Sequence, residues 1–101
     1  MNFQNDVVAT GTWEYAASVQ KPVFIVRLNY DFWYEIAKED GHLEPDEQPR
    51  LNDEGNIYYV SFHGIHRDGT FWPDSGGNLT IEDAKAAAES KLPSDITWST
   101  P

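Results

Sequence analysis

The sequence predicts an α+β domain: an antiparallel sheet of about four strands, in the order β-β-long loop-β-β, with one C-terminal helix packed on one face. Three observations predict it. Residues 12–19, 23–30 and 56–66 carry the two-residue alternation or the short apolar runs of strands. Residues 80–92 carry a capped, Ala-rich helical pattern. Between these two regions, residues 38–55 hold two prolines, two glycines and scattered acids, which suit a long connection rather than a packed element. The 101 residues suit one domain. A chain of this size buries roughly 60 to 70% of its unfolded surface, enough for a single core.

The first eleven residues read as a loosely ordered start, with Val7-Val8-Ala9 as a short edge strand ending at Gly11. From Thr12 to Val19, Trp13, Tyr15, Ala17 and Val19 share one face of a half-buried strand. Gln20-Lys21-Pro22 reads as the turn that follows, because proline fixes φ and donates no hydrogen bond. Val23 to Tyr30 is apolar on both faces in its first half, which predicts a strand that is central in the sheet or covered on both sides. Asp31 to Ala37 reads as its continuation, with Phe32, Tyr34 and Ile36 keeping the alternation, and a helical turn is the alternative.

Asn56 to His66 gives the strongest strand pattern, with Tyr58, Val60 and Phe62 on one face and Ile57, Tyr59, Ser61, His63 and Ile65 on the other. Arg67-Asp68-Gly69 then predicts a hairpin, with Thr70-Phe71-Trp72 as a short return strand stopped by Pro73. In the helix, Thr80 is the expected N-cap and Asp83 its partner three residues on. Ile81, Ala84, Ala87, Ala88 and Leu92 form the inward stripe, Lys91 suits the negative end of the dipole, and Pro93 stops the helix. Ile96 and Trp98 suggest a short final strand. The general plan of a meander running into an Ala-rich helix resembles small acidic bacterial and phage-encoded proteins without pointing to a family.

Charge separates the function classes. Seventeen acids against seven Lys and Arg give a net charge of −10. From Asp31 to Glu54 there are nine acids and two bases, so seven of those ten charges sit in one quarter of the chain. Such a surface repels phosphate backbones, so direct nucleic-acid binding is disfavoured and a basic protein partner is favoured. The chain has no cysteine, which rules out disulfides and thiolate metal sites. No basic segment leads into an apolar run and no stretch is long enough to span a bilayer, so the expectation is a cytoplasmic protein without a membrane partner.

Several motifs invite chemistry and lack its context. Asp74-Ser75-Gly76-Gly77 resembles the G-D-S-G-G nucleophile segment of trypsin-like serine proteases over four residues. Pro73 stands at the leading glycine, no histidine stands in a matching context, and the chain is too short for that two-barrel fold. It reads instead as a flexible Gly-rich turn leading into the helix, with Asp or Ser satisfying local amides. As an anion cradle it is opposed by Asp74, Glu82 and Asp83 with no adjacent cation. His63 and His66 fall on opposite faces of a strand, which opposes a shared metal, and Asp53-Glu54-Gly55-Asn56 lacks the ligand spacing of a calcium loop. No catalytic residue, metal site or cofactor is expected.

The aromatic side chains are the stronger signal. Trp33, Tyr34, Tyr58, Tyr59, Phe71, Trp72 and Trp98 exceed what one small core is expected to hold, which predicts an aromatic sheet face open to a partner. The leading expectation is therefore a non-enzymatic protein-binding module of inhibitor, immunity or anti-defence type. Its candidate binding residues are Trp33, Tyr34, Glu39, Asp40, Glu44, Asp46, Glu47, Tyr59, His63 and Trp72. Two alternatives stand beside it: a small-molecule or enzymatic pocket lined by Tyr58, Phe62, His63 and Trp72, and a structural homodimer joined through the sheet.

Overall fold

The computed structural model describes residues 5–67 and 71–99. Its elements are β1 (Asn5–Ala16), β2 (Val19–Leu28), α1 (Phe32–Glu39), β3 (Ile57–Ser61), α2 (Ile81–Lys91) and β4 (Ile96–Ser99). The four strands form one antiparallel sheet in the order β3-β2-β1-β4. This is the expected α+β class, with the C-terminal helix and the short closing strand in place and a second helix added.

β2 is central, and its doubly apolar sequence has a direct cause. Val23 and Ile25 point to the face that α2 covers, where they meet Ala9, Tyr58, Val60, Ala84 and Ala88. Val26 and Leu28 point to the other face and pack with Phe32, Ile57, Tyr59 and Phe71. All five residues of β3 are buried for the same reason. Tyr58, Tyr59 and Phe71 are thus absorbed by two small cores on opposite faces of one sheet. The expected open aromatic sheet face does not exist over β2 and β3. Each fully buried large side chain contributes roughly 1.5–3 kcal/mol, so doubling the core offsets the small size of the domain.

The β1–β2 turn lies at Ala17-Ser18, with Ser18 at φ 72, and not at Gln20–Pro22. Pro22 instead sits inside β2 opposite Thr12, where β3 does not reach, since β3 pairs with β2 only from Phe24 onward. A proline is tolerated on such a free edge. Gly11 does not end a strand either: it lies within β1 opposite Trp98. A Cβ there would stand 2.5 Å from Ile96 Cγ2 and 2.9 Å from Trp98 Cε3, so the glycine lets β4 side chains lie flat across β1.

Asp31–Ala37 is a helix start and not a strand. The Asp31 carboxylate accepts the backbone N–H of Tyr34 at 3.2 Å, an N-cap, while Glu35 and Lys38 complement the dipole at the two ends. Phe32 and Ile36, four apart, turn to the core, a spacing that mimics alternation in so short a segment. β3 stops at Ser61 because the Ser61 hydroxyl accepts the N–H groups of His63 and Gly64 and bends the chain there. Asp68 and Gly69 of the predicted Arg67-Asp68-Gly69 turn, and Thr70 of its return strand, lie outside the described residues, and Phe71 and Trp72 are not in a strand.

α2 follows its sequence signals closely. The Thr80 hydroxyl accepts the Asp83 N–H at 3.0 Å, and Ala84 and Ala88 are fully buried against the sheet. Their small side chains let a helix lie close to the strands at the expense of buried side-chain area.

Candidate functional site

Trp33 and Trp72 form an exposed aromatic pair. Trp33 is the second residue of α1 and Trp72 follows the buried Phe71, and their rings meet edge to face with centroids 5.5 Å apart. Both also stand at right angles to the buried Phe32, at 5.1 and 5.3 Å. Trp33 keeps 37% of its surface exposed and Trp72 keeps 60%. Edge-to-face packing on a core ring fixes the pair in place. The Trp33 indole N–H donates to the carbonyl of Ser75 at 3.0 Å, which pins it to the segment before α2.

The acidic residues continue from the same helix. Glu39 ends α1 and Asp40 caps it, both exposed. Asp40 stands two turns from Trp33 on the same side of the helix, roughly 10 Å along its axis. Glu44, Asp46 and Glu47 are exposed in the connection that follows, and the Glu47 N–H donates to the Glu44 carbonyl at 3.1 Å. No carboxylate between Asp31 and Glu54 forms an ion pair with a described residue, and nine acids against two bases leave the local field negative.

This connection is better anchored than its composition suggests. The Arg50 N–H donates to Asp31 Oδ2 at 2.8 Å and its guanidinium to the Gly77 carbonyl at 3.0 Å. The Asn52 side chain donates to the Leu79 carbonyl and accepts the N–H groups of Glu54 and Asn56. Its second half is thereby held against the segment that leads into α2.

The remaining candidates separate. Tyr34 is half-buried at the third position of α1, and His63 is exposed just after β3. Tyr59 has no exposed surface and belongs to the core. Its hydroxyl accepts the Phe32 N–H at 2.8 Å and lies 3.3 Å from Asp31 Oδ1. Burial, with the Asp31 carboxylate beside it, holds the Tyr59 pKa well above the ordinary tyrosine value. The set proposed for a small-molecule pocket does not converge: Tyr58 and Phe62 pack on the α2 face, whereas Trp72 packs on Phe32 of the other. An open cleft of about 70 Å³ lies elsewhere, lined by Asn29, Tyr30, Asp31, Glu35, Pro49 and Leu51. It is well below the size that holds a typical organic ligand.

Asp31 and Arg50 are organising residues that strand alternation passed over. An Asp immediately before an aromatic run with Glu four residues on is an N-cap signal, and it was the available clue. Asp74 and Ser75 have a clear structural task. Asp74 Oδ2 accepts the Phe62 N–H at 2.8 Å, and the Ser75 hydroxyl accepts the Val60 N–H at 2.9 Å and donates to the Gly76 carbonyl. They satisfy amides in and just after β3, twelve to fifteen residues away, rather than local ones. The turn is pinned to β3, which corrects the expectation of a flexible lead into α2.

Among the described residues no group of three or more His, Asp or Glu side chains could hold a metal ion, and no helix is long and apolar enough to cross a membrane. The chain matches no family model, no curated protein and no solved structure.

Proposed function

We propose that the protein is a non-enzymatic binding module that engages a basic protein partner through the Trp33–Trp72 pair and the acidic residues that run from α1 into the following connection. The observation that carries this reading is the exposed tryptophan pair. Two large indoles held rigid by Phe32 and by the Ser75 carbonyl lose little conformational entropy on binding. Tryptophan is also the residue type most enriched where binding energy concentrates. The carboxylates Glu39, Asp40, Glu44, Asp46 and Glu47 add long-range attraction for a cationic surface and speed encounter more than they deepen affinity. An inhibitor or immunity role, with these carboxylates presented to a basic site, fits this division of labour.

Affinity capture from a lysate of the source cells, at low and at high salt, tests the reading. The expected result is a basic partner retained at low salt, weakened at high salt, and lost with Trp33→Ala plus Trp72→Ala. A partner indifferent to salt and to both tryptophans would overturn it, as would capture of nothing.

A further inference from the structure

The two edges of the sheet are treated in opposite ways. In an antiparallel strand alternate residues direct their backbone groups to the same side, so the outward N–H groups of β3 are those of Tyr58 and Val60, followed by Phe62. All three are met by the segment Asp74–Asn78. The Asn78 carbonyl accepts from Tyr58, the Ser75 hydroxyl from Val60 and the Asp74 carboxylate from Phe62. The Tyr58 and Val60 carbonyls in turn accept the N–H groups of Asn78 and Asp74. β3 is sealed.

β4, at the opposite edge, pairs with β1 over Thr10–Trp13, and among the described residues no strand or bridge covers its outer side. Proteins guard open edges with lysine, proline, a bulge or a very short edge strand, and β4, at four residues, has only the last of these. The sequence Ile96-Thr97-Trp98-Ser99 has no charge and no proline, and its register with β1 is unbroken. Polar satisfaction is also poorest beside this edge: the indole N–H groups of Trp13 and Trp98 are buried and have no acceptor among the described residues.

We infer that β4 pairs with β4 of a second copy, antiparallel across a two-fold axis, to join two four-stranded sheets into one. Charge selects this occupant. The acidic connection leaves from the β2–β3 side of the sheet, so two copies joined at β4 hold those segments at the far ends of the dimer. From Ile81 to Ser99 the charged residues are Glu82, Asp83, Lys85, Glu89, Lys91 and Asp95, a net of −2 against −7 from Asp31 to Glu54, so a molecule of charge −10 meets less self-repulsion here than at its acidic connection. The pairing is isologous, since each strand offers the other the same donors and acceptors. It leaves the Trp33–Trp72 pair free and does not depend on the binding role proposed above.

Sedimentation equilibrium of the whole chain from low micromolar to several hundred micromolar reads the association, and hydrogen exchange reads its location. The expected result is a monomer–dimer equilibrium in which the amides of Ile96–Ser99 exchange more slowly as concentration rises. Thr97 and Ser99 are exposed, so Thr97→Lys with Ser99→Lys leaves the fold intact and weakens the dimer by about tenfold through like charges across the axis. Mixing Thr97→Lys chains with Thr97→Glu chains restores association as a heterodimer. A wild-type monomer over the whole range overturns the inference. So does a dimer that tolerates both lysines, or one whose β4 amides exchange independently of concentration.

Discussion

The hydroxyl of the buried Tyr59 lies 3.3 Å from Asp31 Oδ1, on the side of the sheet away from α2, and accepts the Phe32 N–H at 2.8 Å. The same aspartate caps α1 through the Tyr34 N–H and holds the acidic connection through the Arg50 N–H. One carboxylate thus links the core of β3, the start of α1 and the loop that carries much of the negative charge. Trp33 is placed by this junction, because it is the second residue of the helix that Asp31 begins.

Asp31→Ala is expected to cost about 2–3 kcal/mol, the loss of an N-cap combined with an orphaned hydroxyl donor at the buried Tyr59, while the exposed Arg50 N–H passes to water. Asp31→Asn keeps an acceptor at the cap and is expected to cost about 1 kcal/mol. Urea unfolding with an unchanged m-value checks both. In the alanine variant the Trp33 environment should change as well, read by fluorescence at low denaturant.

Tyr59 gives the stability a dependence on alkaline pH. Its pKa is raised in the folded state by burial and by Asp31, and that of Tyr30 is raised by burial and by Glu35. Below the ordinary tyrosine value of about 10 both folded and unfolded chains hold the proton, and the contribution is complete. Above it the unfolded chain ionises first, so stability falls as pH rises toward the raised folded-state values. Denaturant midpoints should hold level between neutral pH and about pH 9 and decline above about pH 10. Tyr59→Phe should flatten most of that decline, leaving the part due to Tyr30. At neutral pH it should cost about 1–3 kcal/mol, because the Phe32 N–H loses its acceptor.

Ser75 separates a structural hydroxyl from a nucleophilic one. Its Oγ accepts the Val60 N–H and donates to the Gly76 carbonyl, so its proton and one lone pair are already engaged in the fold. Ser75→Ala is expected to destabilise by about 1–3 kcal/mol by leaving the Val60 N–H without a partner. Faster hydrogen exchange at Val60 would locate the loss, and an acyl-serine probe is expected to leave the wild-type residue unlabelled.

Much of the fold was legible because the relevant signals are local. Thr80, Asp83 and the alanine stripe state a helix within thirteen residues, and the doubly apolar Val23–Val26 states a central strand. Phe32, Tyr34 and Ile36 misled because two periods fit so short a segment, and the deciding term is a cap whose carboxylate also serves Arg50 and Tyr59. Pairings that span the chain were out of reach for a different reason. Asp74 and Ser75 read as a turn, and only the arrival of β3 beside them turns their side chains into an edge seal. The tryptophan pair shows both limits at once. Trp33 and Trp72 were each identifiable as candidates, while their contact, 39 residues apart in sequence, depends on where Phe32 and Phe71 are buried.

Gly11 tests how closely β4 lies on the sheet. A Cβ at this position would meet Ile96 Cγ2 at 2.5 Å, Trp98 Cε3 at 2.9 Å and Val23 Cγ1 at 3.1 Å, and Val23 is fully buried and cannot retreat. Gly11→Ala should therefore lift β4 and cost about 1–3 kcal/mol, the usual range for overpacking. Ile96→Ala removes the nearest of the three atoms at the expense of its own packing. In that background Gly11→Ala should cost measurably less than in the wild type, a coupling that a double-mutant cycle reads directly. Trp98 contact remains in the double variant, so the relief should be partial. Equal costs in the two backgrounds would mean that the strand, and not the Ile96 side chain, sets the spacing.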